Sequence, residues 1–282
     1  MTRDEKILHS IKRDGKGLEI GPSYNPIAPK SKGFDVRVLD HATRDELIAK
    51  YNAHGVDTSR IEDVDYIWSG QRLSSIFGES QSFDWIIASH VIEHTPDLVG
   101  FLQSCQDLLA PGGVVSLAIP DKRYCFDFFR ERTSLAQVID AREQARSNHS
   151  VGTAAEHFLN AVAKDGAIAW GAGYPGEYQF ANGIDHARIA MASLQTAYVD
   201  CHAWVFTPWS FRLMMRDLRD LGYLRLKEVA FHDSVGCEFF VVLGLDGPEP
   251  AMSRMDMLKL SNLEQISPAS SADSFASQLL VA

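Results

Sequence analysis

Cysteine is sparse in this 282-residue chain: Cys105, Cys125, Cys201 and Cys237 are widely scattered and include no Cys-x-x-Cys pair. That spacing argues against a disulfide framework and a thiolate zinc site, so buried free thiols are expected. No dense run of Lys or Arg occurs, and the formal charge is −10. Affinity for nucleic acid comes largely from cations that neutralise phosphates, so no nucleic-acid partner is expected, and a small neutral or cationic substrate fits better. No stretch approaches the roughly 18 apolar residues that span a bilayer, and the segment Met1 to Ile7 lacks the apolar centre of a secretion signal. A soluble cytoplasmic protein without stable membrane insertion is the expectation. Composition leaves the oligomeric state open.

What the chain does have is a 45% hydrophobic content, enough for a real core. Leu18-Glu19-Ile20 is a short apolar run ending on the turn Gly21-Pro22-Ser23-Tyr24-Asn25-Pro26, and Asp40 follows 19 positions after Gly21 at the end of a second apolar run. Such a turn lets backbone N–H groups approach a ligand, and a carboxylate at the tip of the next strand can accept both hydroxyl hydrogens of a ribose. The pattern is that of a nucleoside-binding α/β domain. A helix is expected within 1–14, strands at 18–21, 35–39 and 64–68, and a helix over 43–52. Phe83 to Ala88 reads as a buried mid-sheet strand, a helix follows Thr95-Pro96-Asp97, Pro111-Gly112-Gly113 stops it, and 114–119 is the next strand.

Residues 122–204 break this rhythm and are expected to form a strandless, largely helical insertion, with a helix near 134–146 and a Gly-rich stretch at 166–183. The α/β pattern resumes with a helix over 208–221, stopped by Gly222. Strands at 224–231 and 238–245 are separated by too few residues for a parallel crossover and should pair antiparallel. The fold class is therefore α/β, with a doubly wound, mostly parallel seven-stranded sheet, an antiparallel last strand and a helical insertion. The division is 1–121 with 205–247 as core, 122–204 as a lid over the acceptor site, and 248–282 as a partly disordered tail.

Leu18-Glu19-Ile20-Gly21-Pro22, Asp40, the run Phe83 to His94, and Leu108-Leu109-Ala110-Pro111-Gly112-Gly113 before a strand resemble the successive motifs of class I S-adenosylmethionine-dependent methyltransferases. The resemblance covers roughly residues 15–121 and 205–245. The run Pro120 to Asp127 is further similar to a bacterial subset associated with glycan or other secondary biosynthesis. The sequence departs from the usual Gly-x-Gly-x-Gly, because Ser23 and Asn25 stand where the second and third glycines often are, which restricts close backbone approach.

The resemblance implies S-adenosyl-L-methionine as cofactor, held by Glu19, Gly21, Pro22, Ser23, Asn25, Asp40, Trp68, Ser69, Gly70, Ser89 and His90. Glu19 would face the methionyl amine, Asp40 the ribose, and Trp68 to Gln71 the adenine. Asp121, with Lys122, Arg123 and Tyr124, would meet a small-molecule acceptor, for which an oxygen of a sugar or glycan precursor is the first choice. Oxygen acceptors profit from a general base, and His90, His186 and His202 are the candidates. Trp170, Tyr174, Tyr178, Phe180 and Trp204 form either a sugar-stacking wall or insertion core. His90-Val91-Ile92-Glu93-His94 matches the His-x-x-Glu-His spacing of inverted zinc peptidases, but it follows a strand and precedes Pro96, so the required long helix is not expected, and no metal is assigned. His149 and His157 fit no ligand motif. Two other classes stay open: a nicotinamide-dependent oxidoreductase or epimerase, which would want Gly-x-Gly-x-x-Gly, and a non-catalytic interaction module.

Overall fold

A computed structural model describes residues 1–78 and 82–266. The chain begins with a single-turn helix, α1 (Arg3–Ile7), held by a reciprocal cap between Thr2 and Glu5, which is the short helix expected within 1–14. Strand β1 (Lys16–Ile20), strand β2 (Asp35–Asp40), helix α2 (Arg44–Asn52) and a two-residue strand β3 (Tyr66–Ile67) follow. Next come α3 (Leu73–Phe77), β4 (Phe83–Ser89), α4 (Leu98–Asp107) and β5 (Leu109–Pro120). The insertion carries α5 (Leu135–Glu143), α6 (Val151–Asn160), β6 (Val162–Lys164), β7 (Tyr178–Phe180) and α7 (Ile184–Ser193), and the chain closes with α8 (Pro208–Asp220), β8 (Lys227–Val235), β9 (Glu238–Gly244) and α9 (Arg254–Ile266).

Seven strands form one sheet in the order β3-β2-β1-β4-β5-β9-β8. Strands β1 to β5 pair in parallel, and β9 runs antiparallel to both β5 and β8. This is the mostly parallel α/β sheet expected, with its antiparallel end. One face is sealed by the larger apolar cluster, in which Leu18, Ile86, Val115 and Phe239 meet α4 and α8 through Leu98, Leu102, Phe211 and Leu218. The other face has a smaller cluster around Trp85, Ile87, Phe34 and Ile7.

The β1–β2 crossover is irregular, and three local readings change. Between β1 and β2 the described chain has only a 3-10 turn at Lys30–Lys32. Pro22, Pro26 and Pro29 punctuate this crossover and keep it from winding into a helix. Pro111-Gly112-Gly113 does not end a helix before a strand; it lies inside β5, where the pairing with β4 shifts register, because Leu109 already pairs with Phe83. The insertion is not strandless: β6 and β7 form a two-stranded antiparallel sheet. The segment from 248 onward contains α9, which buries Met257 and Leu260 and whose Glu264 accepts the Trp209 N–H at the start of α8. The remaining tail, 267–282, lies outside the described residues.

Candidate functional site

The strand order reverses between β1 and β4, and in open parallel sheets a ligand crevice opens at the carboxyl ends of the two strands flanking such a reversal. Strand β1 leads there into Gly21, whose φ of +65° favours glycine and whose added Cβ would lie a tight 3.0 Å from Val91 Cγ2. Ser23 also takes a left-handed conformation, φ +50°, and its N–H donates to Asp40 Oδ2 at 2.8 Å. Asp40 Oδ1 accepts from the His41 N–H and faces the His41 ring Nδ1, each at 2.7 Å. The Glu19 carboxylate accepts from the N–H groups of Ile27 at 2.7 Å and Ala28 at 3.1 Å. Burial pushes its carboxyl up to about 7, against those two hydrogen bonds. Asn25 is turned toward Arg60, whose guanidinium donates to Asn25 Oδ1 and to the Pro26 carbonyl. Glu19, Gly21, Pro22, Ser23, Asn25 and Asp40 thus converge in one turn, and both carboxylates, each 1% exposed, first serve to build it.

Beyond β3 the chain closes on itself. Gln71 accepts from the Trp68 indole N–H through its carbonyl at 2.7 Å and from the Ser69 N–H through its side chain at 2.6 Å, with Gly70 at φ +86° between them. The Trp68 ring leans on Phe101 and is half-buried. At the tip of β4, Ser89 Oγ accepts from Arg3, and His90 takes φ +53°. His90 Nε2 lies 2.9 Å from Glu238, a carboxylate that also accepts from Arg3, while His90 Nδ1 lies 3.6 Å from Glu93. Burial opposes charge on His90, yet Glu238 and Glu93 together raise its pKa. Sequence reading missed Arg3 and Glu238 because each is an ordinary charged residue near a chain end or in a hairpin. Only the β5–β9 pairing, which sets Glu238 opposite Pro120, brings Glu238 to the crevice.

The candidates from the second half of the chain separate. Asp121 is fully buried; its oxygens accept from the Arg123 backbone and guanidinium and from Ser234 Oγ, so it anchors the chain reversal after β5 and offers no open lone pair to an acceptor. His186 is exposed on α7, stacked on Phe158, and meets no carboxylate among the described residues. His202 is buried 2.5 Å from Asp127 through Nδ1, and Asp127 in turn pairs with Arg130 at 2.7 Å. Burial opposes ionisation of Asp127, but His202 and Arg130 hold its carboxyl well below the ordinary range. His94 packs edge-on against His202 and reaches Asp200 through Nδ1 at 2.8 Å. Both neighbouring histidines of the insertion are kept neutral near pH 7, since burial drives His149 down to about 4 and His157 to about 3. Trp170 and Tyr178 form the insertion's own core and Trp204 joins the main one, whereas Tyr174 and Phe180 face outward, so the aromatic wall is mostly packing. The three most buried thiols, Cys105, Cys125 and Cys201, are free, as is the half-buried Cys237.

The chain is similar in sequence or in fold to several known proteins. A curated relative, the ubiquinone biosynthesis O-methyltransferase of Methylocella silvestris, is 31% identical over 86 residues, covering 30% of this chain and 31% of that protein. The chain thus matches about a third of the length of that relative. Among solved structures, the PH0226 protein of Pyrococcus horikoshii OT3 aligns at 14% identity with TM-score 0.42, covering 86% of this chain and 89% of its own. An S-adenosylmethionine-dependent methyltransferase from Clostridium acetobutylicum aligns at 11% identity with TM-score 0.43, covering 86% and 89%. No helix among the described residues is long and apolar enough to cross a membrane. The sequence profile of a family described as a methyltransferase domain matches residues 5–166, more than half of the chain, and the chain belongs to that family of class I S-adenosylmethionine-dependent methyltransferase domains.

Proposed function

We propose that this chain transfers a methyl group from S-adenosylmethionine to a hydroxyl oxygen of a small molecule, with a sugar or glycan precursor as the acceptor class. The observation that carries the choice of cofactor is the charge and shape of the crevice between β1 and β4. Glu19, Asp40 and Glu93 are buried acidic residues at or just beyond the carboxyl ends of β1, β2 and β4, and the turn after Gly21 runs into a proline-punctuated crossover with no α-helix before β2. A dinucleotide pyrophosphate needs the amide-rich start of a helix after that turn. This edge offers carboxylates instead, which suit a cationic ligand and oppose the nicotinamide alternative. The non-catalytic alternative is suggested by Ser23 and Asn25 in the glycine turn; Ser23 takes the left-handed conformation that glycine adopts without strain.

The cofactor supplies, when bound, a methyl group on a positively charged sulfur that is already a good leaving group. The chain's task is then alignment and exclusion of water. Gly21 and Ser23 shape the turn, Asp40 and Glu19 stand as the carboxylates that would hold the ribose and amino ends, and His90 acts as the base. Glu238 on Nε2 orients the imidazole and leaves Nδ1 to accept the acceptor's proton. The oxygen acceptor is supported by the named activity of the Methylocella relative, and the sugar class by the resemblance of residues 120–127. Calorimetry with S-adenosylhomocysteine and with NAD tests the cofactor: heat and thermal stabilisation with the first alone is expected, and no association with it by the folded chain would sink the reading. Methyl-labelled cofactor offered with hydroxyl, phenol and amine acceptors then reads out the acceptor class.

A further inference from the structure

Glu93 presents an unusual arrangement. Its side chain is 1% exposed, and neither carboxylate oxygen accepts a hydrogen bond among the described residues. An ionised carboxylate left in that state is costly unless a cation compensates it. Three imidazoles surround it: His90 Nδ1 at 3.6 Å, the adjacent His94, and His202 from a distant part of the chain; one ligand atom each from Glu93, His94 and His202 lie within 4.8 Å of one another.

We propose that Glu93, His94 and His202 bind one divalent first-row transition-metal ion. The histidines are prepared for this. His94 meets Asp200 through Nδ1 and His202 meets Asp127 through Nδ1, and neither Nε2 has a hydrogen-bond partner among the described residues, so each unprotonated ring can offer Nε2 to an ion. Metal-binding histidines characteristically have a carboxylate behind the ring that fixes its tautomer and orientation. His94 Nε2 already lies 4.0 Å from Glu93 Oε1. Ligand atoms around a tetrahedral ion with bonds of about 2.0–2.1 Å sit roughly 3.3 Å apart, so the widest pair closes by about 1.5 Å on binding. Two imidazoles and one carboxylate select zinc-like ions over magnesium, which prefers an all-oxygen shell. The 3-10 turn Ile92–His94 places adjacent residues side by side, and the extended segment after Asp200 brings in His202. The site therefore differs from the helical His-x-x-Glu-His arrangement of a peptidase. His90 Nδ1 lies 3.6 Å from Glu93, so the site adjoins the proposed base, and there the ion would bind an acceptor hydroxyl and lower its pKa. That use rests on the methyltransferase reading; binding of the ion does not.

The test uses the full chain stripped with chelator and titrated with Zn2+, Co2+, Mn2+ and Mg2+, with S-adenosylhomocysteine binding measured in parallel. One Zn2+ or Co2+ per chain is expected, with a visible absorption band for Co2+ and affinity falling from Zn2+ through Co2+ and Mn2+ to Mg2+. Glu93→Gln and His202→Asn should each weaken Zn2+ at least about 100-fold, His202→Asn keeping a donor toward Asp127. Asp200→Asn, at a largely exposed residue, should weaken it roughly 10-fold through His94 alone. If the buried variants lose their fold by circular dichroism, Asp200→Asn carries the test. Substoichiometric binding to the unmodified chain, equal affinity for Mg2+ and Zn2+, or folded variants that keep full affinity would overturn the site. Heat with S-adenosylhomocysteine but not with metal removes the ion and leaves methyl transfer standing; the reverse removes methyl transfer and leaves the ion.

Discussion

Ser23 is a residue whose identity and conformation disagree. Its φ of +50° lies in the left-handed region, where a Cβ costs roughly 1–2 kcal/mol. Ser23→Gly removes that strain but loosens the unfolded chain by about 0.4–1 kcal/mol. A net gain of about 0.5–1 kcal/mol in urea unfolding is expected, together with tighter binding of S-adenosylhomocysteine as room opens at the turn; a loss of stability would show that the Ser side chain does more than occupy space. His90 is the second residue with a definite expectation. His90→Asn should lower turnover by two or more orders of magnitude while S-adenosylhomocysteine still binds, and unchanged turnover would remove it as the base. At this scale the sequence displayed the turn residues well: Glu19, Gly21 and Asp40 announce themselves by type and spacing. It hid their partners. A buried carboxylate such as Glu19 needs a cation or hydrogen-bond donors, and two backbone N–H groups supply the donors. The pairing of His202 with Asp127 and of His90 with Glu238 depends on how distant segments cross, which no local pattern encodes.

At the scale of elements, the close packing of β1 on β4 is set by Gly17. An added Cβ there would lie 2.0 Å from the Trp85 ring, which is wholly buried and tied through its indole N–H to the Gly15 carbonyl. The ring has nowhere to retreat, so Gly17→Ala should cost about 2–3 kcal/mol as an overpacked core. Equilibrium urea unfolding measures it, and a change below about 0.5 kcal/mol would mean that the two strands can separate cheaply. Elements with strong periodicity, β4, α4 and α8, were legible because an apolar run or a 3.6-residue repeat states their burial directly. The shorter ones were not. Three-residue strands β6 and β7 carry too few alternations to register, and α9 is stabilised by docking of Met257, Leu260 and Glu264 rather than by a local signal. The Pro-Gly-Gly of β5 resembles a stop because its residues favour turns, but pairing with Phe83 captures the strand before them.

For the molecule as a whole, the order of the sheet could be anticipated because alternating strands and helices leave few right-handed topologies, and the hairpin at the end has to run antiparallel. What the whole fold adds is an interior that charges unevenly with pH, and Glu19 is its clearest reporter. The folded carboxyl titrates near 7 and its ordinary value is 4.5; burial is the main cause, and the nearest charges, Glu62 and Asp4, are acidic and act in the same direction. Between those two values the folded chain holds a proton that the unfolded chain has released, so this group's contribution to stability falls as pH rises from about 4.5 to about 7. Below that window both states are protonated, and above it both are ionised. The full drop is of the order of 3 kcal/mol, one pKa unit being about 1.4 kcal/mol. Glu19→Gln exchanges this slope for a constant loss of about 1–2 kcal/mol, because an amide NH2 cannot accept from a second backbone N–H. All other titrations are common to both proteins, so the difference in their urea-unfolding free energies isolates the carboxyl. The variant should be relatively worst near pH 4.5 and recover ground steadily until pH 7.5. A difference that stays flat across the window would mean that Glu19 is ionised throughout, and that the turn carrying the cofactor site is held by a charge rather than by a shared proton.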